Sequence, residues 1–347
     1  MAQTQKALLV TEVGKPLVLV SDRAIPEPQP NQIQVKVAVA GINQHDRKAR
    51  DFGLFIAGKL PAVLTNDVAG KVTKVGENLT GEVKVGDRVV THAGLAPGYT
   101  QSGLQEYVVA DAGAFAKIPD TITDDEAATL PTNIIAPLVA FFKVLQIPAP
   151  WSPGAKDFDY ANATILIIGG GTNCGKFGVQ LAKLAGIGRI VAVGGDEAEL
   201  KSYGATHIVD RHGGYETVLG RIRDIVGDDL IYAYDTVNPP PGQILALNAL
   251  SSHKRGALAR LLPMGPVDES KVIGKTAGFE VRDVFGSSHA HPELCKEFWA
   301  RVPAYLETGI IKPLGFVVKE GLEPDNVNEV LDGYRDGKPI TKTHIHL

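Results

Sequence analysis

The sequence predicts an α/β protein: a doubly wound parallel sheet preceded and followed in the chain by a β-rich, barrel-like unit. Three observations carry this: a strand, glycine turn and helix at 164–184; strand-like and helix-like segments alternating from there to 262; and many short strands separated by turn residues over 6–110.

The glycine turn organises the rest. The run 164–168 (TILII) is apolar and β-branched. It meets Gly169-Gly170-Gly171-Thr172-Asn173-Cys174-Gly175, after which Phe177, Leu181 and Leu184 recur at helical spacing. Glycine suits a turn that reverses at positive φ and brings backbone N–H groups to a pyrophosphate with no Cβ in the way. Thr172 and Asn173 depart from the strict G-x-G-x-x-G pattern, so context has to decide. Segments 189–193, 207–209, 230–234 and 257–262 read as strands, and 196–202, 215–226 and 243–250 as helices. That rhythm implies parallel βαβ units with right-handed crossovers, binding nucleotide at the carboxyl ends of the strands.

Upstream, 6–10, 17–20, 32–40, 67–75, 88–92 and 106–110 read as strands, with a three-proline connector at 25–30. Thr123 and Glu126 form a capping box for a helix from Asp124; Pro131 interrupts it, and 133–145 is a strongly apolar helix. The proline-bearing stretch 147–163 reads as a surface loop. Downstream, 293–307 reads as a helix broken or kinked at Pro303, followed by a strand at 315–318, a helix at 326–334 and a strand at 341–347 that return to the β unit. The predicted domains are 1–130 with 305–347, and 131–304.

Composition narrows the function. The chain has 347 residues, 44% of them hydrophobic, and mean hydropathy +0.02, enough for two cored domains; no segment reads as a membrane span. Lys+Arg 35 against Asp+Glu 39, with no basic run among aromatics, argues against nucleic acid. The two cysteines, Cys174 and Cys295, are too few for a disulfide framework or a four-cysteine zinc site. The N-terminus has no leader pattern, and a cytoplasmic location is expected.

Gly41-Ile42-Asn43-Gln44-His45-Asp46, Asp67-Val68-Ala69-Gly70, Val85-Gly86-Asp87-Arg88-Val89, Leu130-Pro131 and Val179-Gln180-Leu181-Ala182-Lys183 together resemble the medium-chain dehydrogenase/reductase superfamily over essentially the whole chain. The resemblance implies a GroES-like β-barrel catalytic domain and a Rossmann nucleotide-binding domain. It is to the zinc-independent, quinone oxidoreductase-like branch, because Asn43 and Asn66 stand where that family's catalytic zinc has a cysteine and a histidine, and 91–105 has no cysteine. No metal is expected. More narrowly, the glycine turn and the insertion after Leu145 resemble the trans-acting enoyl reductases and toxin-pathway reductases of fungal secondary metabolism.

The resemblance implies NADP(H). Gly194 and Gly195 follow the second nucleotide-domain strand, where NAD enzymes carry an acid, and Asp196 comes late; Lys201 matches a lysine that meets the 2′-phosphate. With Gly169, Gly170, Gly171, Thr172, Asn173 and Gly175, the expected cofactor contacts are Tyr203, Asp235, Thr236, Leu262, Pro263, Phe285, Gly286 and Thr132. Lys48 is the expected active-site cation, with Arg47 beside it, and Asn43 orients substrate or ribose. Tyr99 and Tyr107 are candidate proton donors, against solvent; the loop after the Asn43 motif, 48–59, has no tyrosine, and His45, inside the motif loop, is a candidate functional residue. His344 and His346 read as structural or exposed, and Cys174 as a packing residue. The expected activity is hydride delivery to the activated C=C bond of an α,β-unsaturated carbonyl compound, free or carrier-bound, by a monomer or homodimer. The alternatives are a quinone reductase and an NADPH-binding protein with a structural or sensory role.

Overall fold

The computed structural model describes residues 3–347. It opens with β1 (Thr4–Leu9), β2 (Val18–Ala24) and β3 (Gln32–Ile42), then α1 (Gln44–Phe52), β4 (Asp67–Val75), β5 (Arg88–His92), β6 (Tyr107–Asp111), β7 (Phe115–Lys117) and α2 (Asp124–Ala128). Next come α3 (Pro131–Val139), continued by a π-helical turn at Ala140–Val144, β8 (Thr164–Ile168), α4 (Asn173–Ala185), β9 (Arg189–Val193), α5 (Glu197–Tyr203) and β10 (His207–Val209). They are followed by α6 (Tyr215–Val226), β11 (Tyr232–Asp235), α7 (Pro240–Ala249), β12 (Gly256–Arg260) and β13 (Phe279–Asp283). The chain closes with α8 (Pro292–Trp299), α9 (Val302–Glu307), β14 (Phe316–Glu320), α10 (Pro324–Arg335) and β15 (Lys342–His346).

These elements divide into two compact units, Met1–Thr132 with Ser287–Gly309 and Pro313–Leu347, and Asn133–Gly286 with Ile310–Lys312. The segment Ser287–Gly309 groups with the first unit, whereas the sequence reading places the return at 305. The reason is visible in side chains: Ser288 bonds His92 at 3.0 Å, and His289 bonds Asp111 at 3.0 Å.

In the first unit the strands run β14-β15-β3-β4-β5-β7, with β6 also on β3. β15 lies parallel to β14 and antiparallel to β3, so the end of the chain completes the sheet. Alternation along β3 buries Ile33, Val35 and Val37 in a core shared with Val68, Val89 and Ile345. In the second unit six parallel strands run β10-β9-β8-β11-β12-β13, the doubly wound order that reverses at β8.

Local chemistry explains the helices. The expected capping box of α2 is present, with Glu126 N–H donating to Thr123 Oγ1 at 3.1 Å and Thr123 N–H to Glu126 Oε2 at 2.8 Å. Thr172 caps α4 by accepting from Gly175 N–H at 2.9 Å, and Gly186, at φ 85°, ends it. The helix expected at 293–307 is two helices, α8 and α9, with Pro303 in the first turn of the second.

Three differences from the sequence reading have physical causes. Residues 44–52 form a helix rather than a loop: Asp46 caps it by accepting from Asn43 N–H at 2.7 Å, and its buried face is Asp46, Ala49 and Arg50, not an apolar stripe. Arg50 is held there by Asp51 and Asp332, both at 2.7 Å. Strand β13 is absent from the sequence reading, because it is a half-buried edge strand with a polar sequence, FEVRD. The run Asp124–Val144 does have the length and apolarity of a membrane span, against expectation, but 83% of its apolar window is buried inside the protein.

Phe141 lies fully buried in that run, edge-on to Tyr234 at 5.4 Å. Phe141→Ala is expected to destabilise the second unit by about 3–5 kcal/mol, read as a lower denaturant midpoint.

Candidate active site

The second unit holds a cavity of about 1050 Å³ at the carboxyl ends of its central strands, lined among others by Gly169, Gly171, Thr172, Gly194, Gly195 and Arg211. Two glycines are required there by close approach. A Cβ on Gly175 would stand 2.2 Å from the Gly169 carbonyl oxygen, and one on Gly171 would stand 2.8 Å from Gly195 Cα. The turn is therefore packed backbone on backbone, with Asn173 at the first position of α4 and that helix's N-terminal dipole facing the cavity. Thr236 locks the turn, its hydroxyl 2.9 Å from that of Thr172 and 3.0 Å from the Ile168 carbonyl.

Asp235 is fastened into its own loop. Its carboxylate accepts from the N–H groups of Val237 and Asn238 at 3.0 and 2.8 Å and from Asn238 Nδ2 at 2.9 Å, and burial raises its pKa despite them. It shapes the cavity wall through Val237 and Asn238, which line the cavity.

The cradle fits a dinucleotide: a glycine turn, a helix N-terminus, and no carboxylate directly after β9. The expected 2′-phosphate partner is elsewhere, however. Lys201 pairs with Glu197 at 2.6 Å on exposed α5, and Tyr203 donates to Glu199 at 3.2 Å, which raises the phenol, already raised by burial, to about 12. Neither lines the cavity; Arg211 does, with its Cδ 3.3 Å from the point where a Gly194 Cβ would stand and with no ion pair among the described residues. Sequence reading misses Arg211, because it comes after the short strand β10 in a polar stretch without a motif. Leu262, Pro263, Phe285 and Gly286 also lie outside this cavity; a Cβ on Gly286 would meet Ala136 Cα at 2.7 Å.

In the first unit, one expected catalytic residue, Asn43, belongs to a buried ion-pair network. Lys342 of β15 and Asp67 of β4 are in contact with both side chains essentially inaccessible. Asn43 bridges them, donating Nδ2–H to Asp67 at 2.8 Å and accepting from Lys342 at 2.9 Å, while Thr132 N–H donates to the other Asp67 oxygen at 2.7 Å. Burial alone would raise the Asp67 carboxyl, but the Lys342 ammonium and these hydrogen bonds outweigh it and hold it below the ordinary value. Asn43 is thus turned inward, its amide held between Asp67 and Lys342. Thr132 likewise serves this network through its backbone. Lys342 escapes the sequence reading altogether, since a lysine on a polar terminal strand gives no signal.

Lys48 is half-buried on α1, and burial, then the neighbouring Arg47, lower its pKa. The Arg47 guanidinium lies 5.3 Å from the Phe52 ring centre. One turn before Lys48, His45 Nε2 sits 2.9 Å from Asn66 Oδ1, and Asn66 Nδ2–H donates to the Ala93 carbonyl at 2.7 Å. His92 is buried and burial pushes it down to about 4. Tyr99 is buried with its hydroxyl unpartnered, which removes it as an accessible acid; Tyr107 lies on β6. His344 and His346 both bind Asp125, at 2.9 and 3.0 Å. Cys174 lies near Asn133 at 3.9 Å.

With Asn43 between Lys342 and Asp67, and Asn66 between His45 and Ala93, neither amide is open to a metal ion, and no group of three or more His, Cys, Asp or Glu among the described residues is arranged to hold one.

Residues 29–120 match the alcohol dehydrogenase GroES-like domain. The trans-enoyl reductase resD of Aspergillus sclerotiorum is 29% identical over 338 residues, 91% of this chain and 92% of the relative. The chain is thus similar to fungal trans-enoyl reductases over most of its length and carries a GroES-like domain. Among solved structures with this fold, the mycobacterial protein Rv1454c complexed with NADPH aligns with TM-score 0.73 at 22% identity over 99% of this chain and 100% of that one. The CurK enoyl reductase aligns at 0.77 and 18% over 99% of each. Its similarity to these reductases supports an oxidoreductase, and specifically a reductase.

Two outcomes test the geometry. Lys342→Met leaves Asp67 buried and uncompensated, and is expected to cost about 3–5 kcal/mol in denaturant unfolding. Because the folded Asp67 pKa lies below its ordinary value of 3.8, its contribution to stability is present above that value and lost as pH falls through the folded value; the acid dependence of unfolding below pH 3.8 is expected to weaken in Asp67→Asn.

Proposed function

We propose that this reductase uses NADPH to reduce the activated C=C bond of an enoyl or enone substrate, free or tethered to a carrier. The observation that carries the cofactor choice is Arg211, a cation without an ion-pair partner among the described residues that lines the glycine cradle where an NAD enzyme would present a carboxylate. The substrate class is supported by resD, named a trans-enoyl reductase, whose similarity runs through both units.

The nicotinamide, when bound, supplies the hydride for the β carbon. The chain's own residues do the rest. The turn at Gly169–Gly171 and the first turn of α4 hold the pyrophosphate, and Arg211 meets the 2′-phosphate. Lys48 places a partly desolvated ammonium against the oxygen that becomes negative as the double bond is reduced, where a fixed donor acts on developing charge at no cost of reorganisation. Asn43, pinned by Asp67 and Lys342, fixes the start of α1 and with it the direction of Lys48.

Purified protein mixed with NADPH and a panel of enones, enoyl thioesters and quinones is expected to consume NADPH with the first two classes. Turnover of quinones alone would replace the reading with a quinone reductase; NADPH binding without any turnover would replace it with a binding protein. Arg211→Ala is expected to weaken NADPH about tenfold or more while leaving NADH affinity unchanged, measured by titration. Lys48→Ala is expected to lower kcat/KM by about 100-fold or more.

A further inference from the structure

We infer that His45 is the acid that protonates the α carbon, and that Asn66 is the positioning residue that sets its tautomer. The inference rests on the reading of the site as an alkene reductase. The orientation of Asn66 is fixed by its partners: its amide nitrogen donates to the Ala93 carbonyl at 2.7 Å, and Ala93 N–H donates to the Asn66 backbone carbonyl at 2.8 Å. Its side-chain oxygen therefore faces His45 Nε2 at 2.9 Å, and because a carboxamide oxygen only accepts, Nε2 carries a proton. The second ring nitrogen, Nδ1, is left as the atom that gains and loses the working proton.

Place on the face of Lys48, with a ring nitrogen not tied to a carboxylate, singles out this histidine in the first unit. His45 is a quarter exposed, in the first turn of α1, and shares a helix face with Lys48 three residues on. His92 is buried with Nδ1 occupied by Ser288 at 3.0 Å; His289 is bound to Asp111 at 3.0 Å; His291 stands at the N-cap of α8, not on the face of Lys48; and His344 and His346 are bound to Asp125. Of the phenols, Tyr99 is sealed, 48–59 contains none, and Tyr107 lies on β6 rather than on α1. The charged groups facing His45 are Asp46 at 3.6 Å, Arg47 and Lys48 on its own helix, and His92 from β5.

The step balances. Hydride from NADPH forms the C–H bond at the β carbon, the π electrons move to the α carbon and carbonyl oxygen beside Lys48, and NADP⁺ is the oxidised product. The α carbon then takes the proton from His45 Nδ1, whose N–H bond breaks and returns its electron pair to the ring, and water reprotonates the imidazole. Alkene plus NADPH plus one proton gives alkane plus NADP⁺.

The test uses the full chain, NADPH and an enone that the wild type reduces. His45→Gln is expected to keep NADPH affinity, to lower kcat by about 100-fold, the usual scale of a lost general acid, and to abolish the loss of kcat toward high pH. Asn66→Asp puts a carboxylate on Nε2–H and is expected to move that alkaline limb to higher pH with NADPH affinity kept. A His45→Gln enzyme with wild-type kcat and an unchanged limb overturns the inference. If His45→Gln does not fold, an Asn66→Asp profile superposable on the wild type overturns it alone. Absence of enone turnover in the wild type overturns the reductase reading, and the inference with it.

Discussion

The ion pair between Lys342 and Asp67 is the constraint on which the first unit depends. Two charges removed from water hold a fold together only if each is fully partnered, and here the partners come from four places in the chain: β15, β4, the residue before α1 and the start of α3. The last strand must therefore be in register beside β3 before Asn43 can be fixed, and Asn43 must be fixed before α1 can present His45 and Lys48 on one face. The placement of residues near the beginning of the chain is set by a lysine on its last strand.

The second unit is governed by a different constraint, contact between backbones. Gly175 against the Gly169 carbonyl and Gly171 against Gly195 leave no room for a side chain, and the space so kept is the cavity at the strand ends. The charged groups lining that cavity lie just beyond the strands: Glu197 at the start of α5, and Asp210, Arg211 and His212 after β10. One unit thus excludes water around a buried charge pair, and the other keeps a turn narrow enough for backbone N–H groups to act as ligands.

Most of the fold was legible because it is written in periodicity. The parallel strands are apolar runs, the helices between them repeat at helical spacing, and the α2 capping box is a four-residue signal that folds as read. What was hidden is what periodicity does not carry. Helix α1 has a buried face made of charges, so its sequence looks like a loop. Edge strand β13 has a polar sequence. The glycine cradle was legible, whereas Arg211 was not, because its meaning lies only in proximity to Gly194. Asn43 and Lys48 could be picked out by resemblance to a motif, but the inward orientation of Asn43 depends on Lys342, 299 residues away in sequence.

The most direct measurement of the central claim is the position of deuterium in the reduced product, determined by NMR after turnover of an enone with NADPH labelled at nicotinamide C4 in ordinary water, and with unlabelled NADPH in heavy water. The account predicts cofactor deuterium at the β carbon and solvent deuterium at the α carbon, with the carbonyl intact. Cofactor deuterium at the carbonyl carbon, with the double bond retained, would contradict it.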